Sequence, residues 1–119
     1  MNKVIQAVNS MIVNKEKISS AGWVPDSEWI LFLYNNKHKW AMKKNNEEYL
    51  LLFLKTDESL NKIRDVTEWE YIPSISYSSQ KMGTKEAVAS FNELYKILEE
   101  KVLGIEEVLD EIIADNPFG

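Results

Sequence analysis

The sequence predicts an α+β fold, an antiparallel sheet of about four strands with an N-terminal helix and a long C-terminal helix packed on one face. Three observations predict it. Apolar residues recur with helical spacing at both ends of the chain, and the middle holds short β-rich runs separated by asparagine turns. The third is length, because 119 residues are enough for one core but few for two. Residues 1–119 are therefore expected to form a single domain.

The N-terminal segment reads as a short amphipathic helix followed by a loop. Val4, Val8 and Met11 follow helical spacing, which predicts a helix over residues 2–14. Residues 15–28 contain Gly22, Pro25 and several serines, and such a composition predicts a loop.

The centre of the chain predicts three antiparallel strands joined by tight turns. Trp29–Tyr34 is a β-rich run, and Asn35–Asn36 supplies a turn because asparagine tolerates positive φ. Lys37–Lys44 alternates, with its odd-numbered residues on one face and its even-numbered residues on the other. After a second asparagine turn, Tyr49–Leu54 is apolar on both faces, which is typical of a central strand.

The segment between this meander and the last helix predicts a helical turn and a fourth strand. The turn is expected over residues 57–64. The strand is expected over Glu68–Tyr77 at a sheet edge, because Pro73 cannot donate to a ladder. An alternative interpretation makes residues 38–54 helical, since Ala41, Met42 and the leucines tolerate a helix.

The last third of the chain predicts a long helix with Thr84 as its N-cap. Its apolar residues are spaced alternately by three and four, as in a heptad seam: Val88, Phe91, Tyr95, Leu98, Val102, Ile105, Leu109 and Ile112. A single helix from Thr84 to Asp115 would be roughly 48 Å long at ~1.5 Å per residue. A compact domain of this length has a radius of gyration of only about 13–14 Å. The helix therefore either breaks near Gly104 or extends beyond the domain towards a partner.

Composition restricts the classes of function. The chain has no cysteine, which removes disulfides and thiolate chemistry and is typical of a reducing cytoplasm. No stretch reaches the ~20 apolar residues of a membrane span, and the N-terminus lacks the pattern of a signal peptide. The sequence therefore predicts a cytoplasmic protein with no membrane association.

The net charge of −5 is unevenly distributed. Eight acids and two lysines between Glu93 and Asp115 give that segment −6, so the remainder carries +1. Four lysines and His38 lie within Lys37–Lys44. The molecule is therefore expected to be electrically dipolar.

Candidate catalytic residues lack the companions that catalysis requires. His38 is the only histidine, and one histidine without cysteine cannot form a common zinc site. Paired acids such as Glu99–Glu100 point about 100° apart on a helix and do not converge. No glycine-rich phosphate loop or nucleophile-elbow motif is present. The sequence predicts no catalytic, cofactor-binding or metal-binding residue, and hence no enzyme.

The Lys37–Lys44 cluster is the one feature that suggests nucleic-acid binding, since lysines contact phosphates and Trp40 could stack on a base. The same alternation, however, puts Trp40 on the face opposite three of the lysines, which favours a core position. Nucleic-acid binding is retained as a second alternative function.

The residues expected to contact a partner lie mainly on the C-terminal helix. Its seam continues through Leu109 and Ile112 past the expected edge of the domain, and its back is acidic. Trp23 is added because tryptophan is enriched at interface hot spots and this one lies in a predicted loop. The predicted partner-binding residues are Trp23, Glu99, Glu106, Leu109, Asp110 and Ile112.

In layout, the chain resembles two groups of small acidic proteins. One is the immunity proteins that neutralise contact-delivered or other polymorphic toxins. The other is the secretion chaperones of the type III kind, which are acidic α+β dimers. The first resemblance implies a non-enzymatic immunity or antitoxin-like inhibitor that occludes a basic protein, such as a toxin or nuclease, with its acidic helix. The second implies a chaperone-like or structural homodimer, formed here through the C-terminal helix.

Overall fold

A computed structural model describes residues 2–65 and 71–115 and confirms the α+β class. Its centre is an antiparallel meander of five strands in the order β1-β2-β3-β4-β5. The helices are α1 (Lys3–Val13), α2 (Leu60–Asp65), α3 (Ser79–Met82), α4 (Lys85–Leu103) and α5 (Ile105–Ala114). The strands are β1 (Ile18–Trp23), β2 (Ile30–Tyr34), β3 (His38–Asn45), β4 (Glu48–Leu54) and β5 (Ser74–Ser78).

The predicted central meander is confirmed as β2, β3 and β4. Asn35, Asn36 and Asn46 adopt positive φ values of 58°, 56° and 58°, as their place in tight turns requires. In β3, Trp40 and Met42 face α1 and α4, while Ala41 faces α2, so the alternation is also confirmed. The helical interpretation of residues 38–54 is wrong, because cross-strand pairing with β2 and β4 outweighs local helix propensity.

The fifth strand, β1, lies where the sequence predicts a loop. Its pairing with β2 is irregular between Ser19 and Gly22, and Ser20 has a φ of 56°, which marks a bulge. Arg64 Nη2 of α2 donates to the Ser20 carbonyl oxygen at 2.7 Å. A Cβ on Gly22 would lie 2.8 Å from that guanidinium nitrogen, so a larger residue would push the guanidinium out of this position. The loop prediction is wrong because the bulge breaks the alternation by which a strand is recognised.

The sheet buries residues on both of its faces. One face packs against α1 and α4, and its fully buried residues include Val8, Ile30, Phe32, Met42, Leu51, Phe91, Leu94 and Leu98. The other face packs against α2, with Val24, Leu31, Ala41, Leu54, Leu60 and Ile63 buried. The two major helices share one face, as predicted, and α2 fills the other.

The fourth predicted strand is shorter than expected. It is observed as Ser74–Ser78 at the sheet edge, and the predicted residues 68–70 lie outside the described part of the chain. Trp69 and the predicted helix stop at Asn116–Pro117 also lie outside it.

The predicted long helix is two helices that meet at Gly104, which adopts a left-handed conformation with φ 67°. Such a residue ends α4 because its geometry cannot continue a right-handed helix. The buried stripe of α4 is also shifted from the predicted seam. Val88 is 41% exposed, whereas Ala87, Leu94 and Ile97 are buried with Phe91 and Leu98. A helix on a sheet buries a wider stripe than a coiled-coil seam, which accounts for the difference.

The half-buried side chain of Trp40 packs against the core. Its ring lies 5.2 Å from that of Phe53, centroid to centroid, and contacts the buried cluster under α1 and α4. We expect Trp40→Ala to lower the free energy of unfolding by about 3 kcal/mol, the low end of the range for tryptophan because the side chain is half-buried. Trp23→Ala, at a 40% exposed position, is the control and should cost much less in chemical denaturation. Equal effects of the two changes would place Trp40 outside the core.

Candidate functional site

Helix α5 presents a complete apolar stripe to solvent. Five residues at spacings of three, four, seven and eight form it, and their exposed fractions are Ile105 37%, Val108 45%, Leu109 46%, Ile112 62% and Ile113 63%. None of the residues of α5 is buried. A helical stripe of this width normally packs against a core, so its exposure makes this face the candidate interaction surface. We call Ile105, Val108, Leu109, Ile112 and Ile113 the α5 stripe.

The shape of the molecule agrees with a protruding helix. The radius of gyration is 15.6 Å and the longest dimension is 52 Å. A compact domain of this length would have a radius of gyration of about 13–14 Å. The sequence offered two outcomes, a break at Gly104 or an extension beyond the domain, and the structure shows both.

The acidic residues of α5 lie away from the stripe. Glu106, Glu107, Asp110 and Glu111 are all exposed. With Asp115, they give residues 105–115 a charge of −5, since that segment has no lysine or arginine. Glu106 and Glu107 in the first turn also interact favourably with the positive end of the helix dipole. The surface therefore combines an apolar centre with an acidic border.

The other predicted partner-binding residues lie apart from this surface. Glu99 is half-buried on α4, where its carboxylate interacts electrostatically with the Tyr95 hydroxyl. Burial first, and then the charges of Glu99 and Glu28, raise the pKa of the Tyr95 hydroxyl. Trp23 is the last residue of the edge strand β1 rather than part of a loop. Glu106, Leu109, Asp110 and Ile112 are thus the predicted residues that the structure brings together.

The sequence prediction included only two of the five residues in the stripe. Ile105, Val108 and Ile113 were not among the predicted contacts. Their signal was present, because a helical face includes the positions adjacent to a heptad seam as well as the seam itself.

The lysine cluster is divided between two faces of the sheet. Lys39 Nζ donates to the Thr56 carbonyl oxygen at 3.1 Å, and Lys43 Nζ lies 5.1 Å from the centre of the Trp29 ring. Lys44 Nζ lies 5.5 Å from the centre of the Tyr49 ring on the other face. These lysines stabilise the sheet through cation–π and hydrogen-bond contacts, and they do not form one continuous basic surface with Trp40.

A broad open concavity of about 1300 Å³ lies between the β3–β4 turn, α3 and the start of α4. In it, the Tyr49 hydroxyl donates to Asn92 Oδ1 at 2.6 Å, and the Tyr49 backbone N–H donates to Ser79 Oγ at 2.9 Å. The Ser78 hydroxyl donates to the Glu48 carboxylate. These bonds join β4 to β5, α3 and α4. The hydroxyls of Ser78 and Ser79 are therefore engaged in structural hydrogen bonds.

His38 is exposed at the start of β3, at the opposite end of that strand from the concavity. Within residues 2–65 and 71–115, no three histidine, aspartate or glutamate side chains come together to hold a metal ion. Over the same residues, no helix is long and apolar enough to cross a membrane.

No protein-family model matches the chain, and neither does any curated protein or solved structure. The chain's own surfaces are therefore the basis for inferring its function.

Proposed function

We propose that the chain is a non-enzymatic protein-binding module whose helix α5 inserts its apolar stripe into a groove on a basic partner protein. The observation that carries the proposal is an amphipathic helix without a buried residue, whose five-residue apolar stripe is 37–63% exposed. Helix-in-groove recognition uses anchors at spacings of three, four and seven residues, which Ile105, Val108, Leu109 and Ile112 provide.

Charge favours a basic partner over a second copy of α5. Two copies of this helix packed along their stripes would bring two segments of −5 together, and no basic residue of residues 105–115 would offset the repulsion. A groove bordered by lysine or arginine would instead attract the acids and speed the encounter. A partner with an apolar floor and basic rims matches both features of α5.

The proposed biological role is that of an immunity or antitoxin-like inhibitor. An acidic helix that covers a cationic groove would exclude nucleic acid or another anionic substrate from it. This role is supported by the charge asymmetry, with −6 between Glu93 and Asp115 and +1 over the rest of the chain. A partner with a nuclease-like groove would be occluded rather than modified.

The test compares affinity capture by the full chain and by a chain ending at Gly104. Because α5 contributes no buried residue, the shortened chain should retain the circular dichroism expected for the remaining elements. We expect a basic protein that the full chain retains and the shortened chain loses. If this protein arrests growth when expressed, co-expression of the full chain should relieve the arrest. A partner captured equally by both chains would contradict the proposal.

A further inference from the structure

The outer edge of β5 is an uncharged strand edge. Residues 71–80 contain no charged side chain, although 28% of the whole chain is charged. β5 is the last strand of the sheet, and its residues Ser74, Ile75 and Ser76 are exposed. Proteins usually protect such edges with charges, bulges or covering segments, because a free edge can pair with another strand.

Within the described residues, the opposite edge of the sheet is protected by a bulge and a side-chain contact, whereas residues 71–80 carry no charge. In β1, the bulge at Ser20 interrupts the pairing, and the Arg64 guanidinium of α2 donates a hydrogen bond to the Ser20 carbonyl oxygen. A regular strand could not add to that edge without displacing the guanidinium. Of the two edge strands, β5 is therefore the one better suited to pair with a strand of another molecule.

The hydrogen-bond pattern identifies which groups of β5 are available. The Lys55 backbone N–H donates to the Pro73 carbonyl oxygen at 2.8 Å, and this pair directly precedes the register pair Leu54–Ser74. Hydrogen-bonded and non-hydrogen-bonded pairs alternate in an antiparallel ladder. Ile75 and Tyr77 therefore bond to β4, while Ser74 and Ser76 direct their N–H and C=O groups away from it.

We propose that β5 pairs antiparallel with β5 of a second copy, with Ser76 opposite Ser76 on the twofold axis. The strand reads Ser-Ile-Ser-Tyr-Ser, so its pattern of polarity is the same in both directions about Ser76. A twofold interface requires such self-complementarity. Ile75, which is 54% exposed, then lies opposite Tyr77 of the second copy in a non-hydrogen-bonded pair, where side chains approach most closely.

The second copy is the occupant that the strand favours. No charge on residues 71–80 repels an identical strand, and the exposed Ile75 gains a partner on the same face as Tyr77. The resulting dimer would have one continuous sheet and two copies of α5. It uses different residues from the α5 stripe, so either interface can fail without the other.

Single cysteine variants test the pairing and its register, because the chain has no cysteine of its own. Two residues facing each other in a hydrogen-bonded pair have Cα atoms about 5.5 Å apart, within the range of roughly 4.4–6.8 Å that a disulfide spans. Ser76→Cys should therefore give a covalent dimer under mild oxidation. Ser74→Cys is the matched control, because its two copies lie four residues apart along the strands, about 14 Å.

The expected result is rapid dimer formation by Ser76→Cys, little by Ser74→Cys, and a wild-type mass that doubles with concentration in sedimentation equilibrium. Ser76→Lys should remain monomeric, because it places two like charges opposite each other. Gln6→Lys, at an exposed position on α1, adds the same charge and should behave as wild type. A wild-type chain that stays monomeric, or equal cross-linking of the two cysteine variants, would overturn the proposal.

Discussion

The double variant Leu109→Asp/Ile112→Asp is expected to bind the basic partner at least about 100-fold more weakly than wild type while keeping its fold. Burying the exposed halves of these two side chains contributes about 2–3 kcal/mol to binding, and each tenfold in affinity corresponds to about 1.4 kcal/mol. The introduced carboxylates add the cost of removing charge from water. Calorimetric titration of the purified partner measures the loss.

Folding should be unaffected because both side chains are exposed in the free protein, at 46% and 62%. The control is Val13→Asp/Val88→Asp, which changes two exposed apolar residues on α1 and α4, at 78% and 41%. Control binding close to that of wild type would assign the effect to the α5 stripe. If the α5 variant bound as tightly as the control, α5 would not be the docking helix. If it instead lost wild-type self-association, α5 would be a homodimer interface.

Reversing the charge of Glu106 and Asp110 to lysine is expected to slow association with the partner by about tenfold or more. These exposed acids are one helical turn apart, and complementary charge acts mainly on the rate of encounter. Wild-type association should also slow as sodium chloride rises, because the Debye length falls to about 8 Å at physiological ionic strength and shortens further above it. Stopped-flow measurements at two salt concentrations follow both effects.

The matched control is Glu16→Lys/Glu47→Lys, which makes the same change in net charge at exposed positions outside α5. If recognition depends on the acids of α5, the control should retain most of the wild-type rate. Equal slowing by both variants would show that only the net charge of the molecule matters. An association rate that is independent of salt would remove electrostatic steering from the account.

The sequence predicts correctly those helices and strands in which the local pattern of apolar and polar residues matches the side chains that the tertiary structure buries. β2, β3 and β4 were recognised because their alternation and asparagine turns specify the meander that the structure contains. β1 was missed because its bulge at Ser20 and its guanidinium contact are long-range features, and no local pattern encodes them. The shifted stripe of α4 has a similar cause, since the sheet beneath it decides which side chains are buried.

The candidate docking surface was predicted in part from the sequence. The seam through Leu109 and Ile112 and the acids at Glu106 and Asp110 were visible as spacing and charge. The sequence could not show whether this face would fold back on the sheet, because that depends on the geometry at Gly104. The charge pattern of the sequence also does not distinguish Glu99 from the exposed acids of α5. Glu99 is half-buried beside Tyr95, and this position depends on the tertiary fold.

Hydrogen exchange of α5, measured by mass spectrometry with and without the partner, tests the central claim most directly. A helix of ten residues with no buried side chain is only marginally stable in water, so its amides should exchange rapidly in the free protein. If α5 docks in a groove of the partner, its amides should be strongly protected in the complex, with little change in α1. Unchanged exchange of α5 in a complex that has demonstrably formed would contradict it.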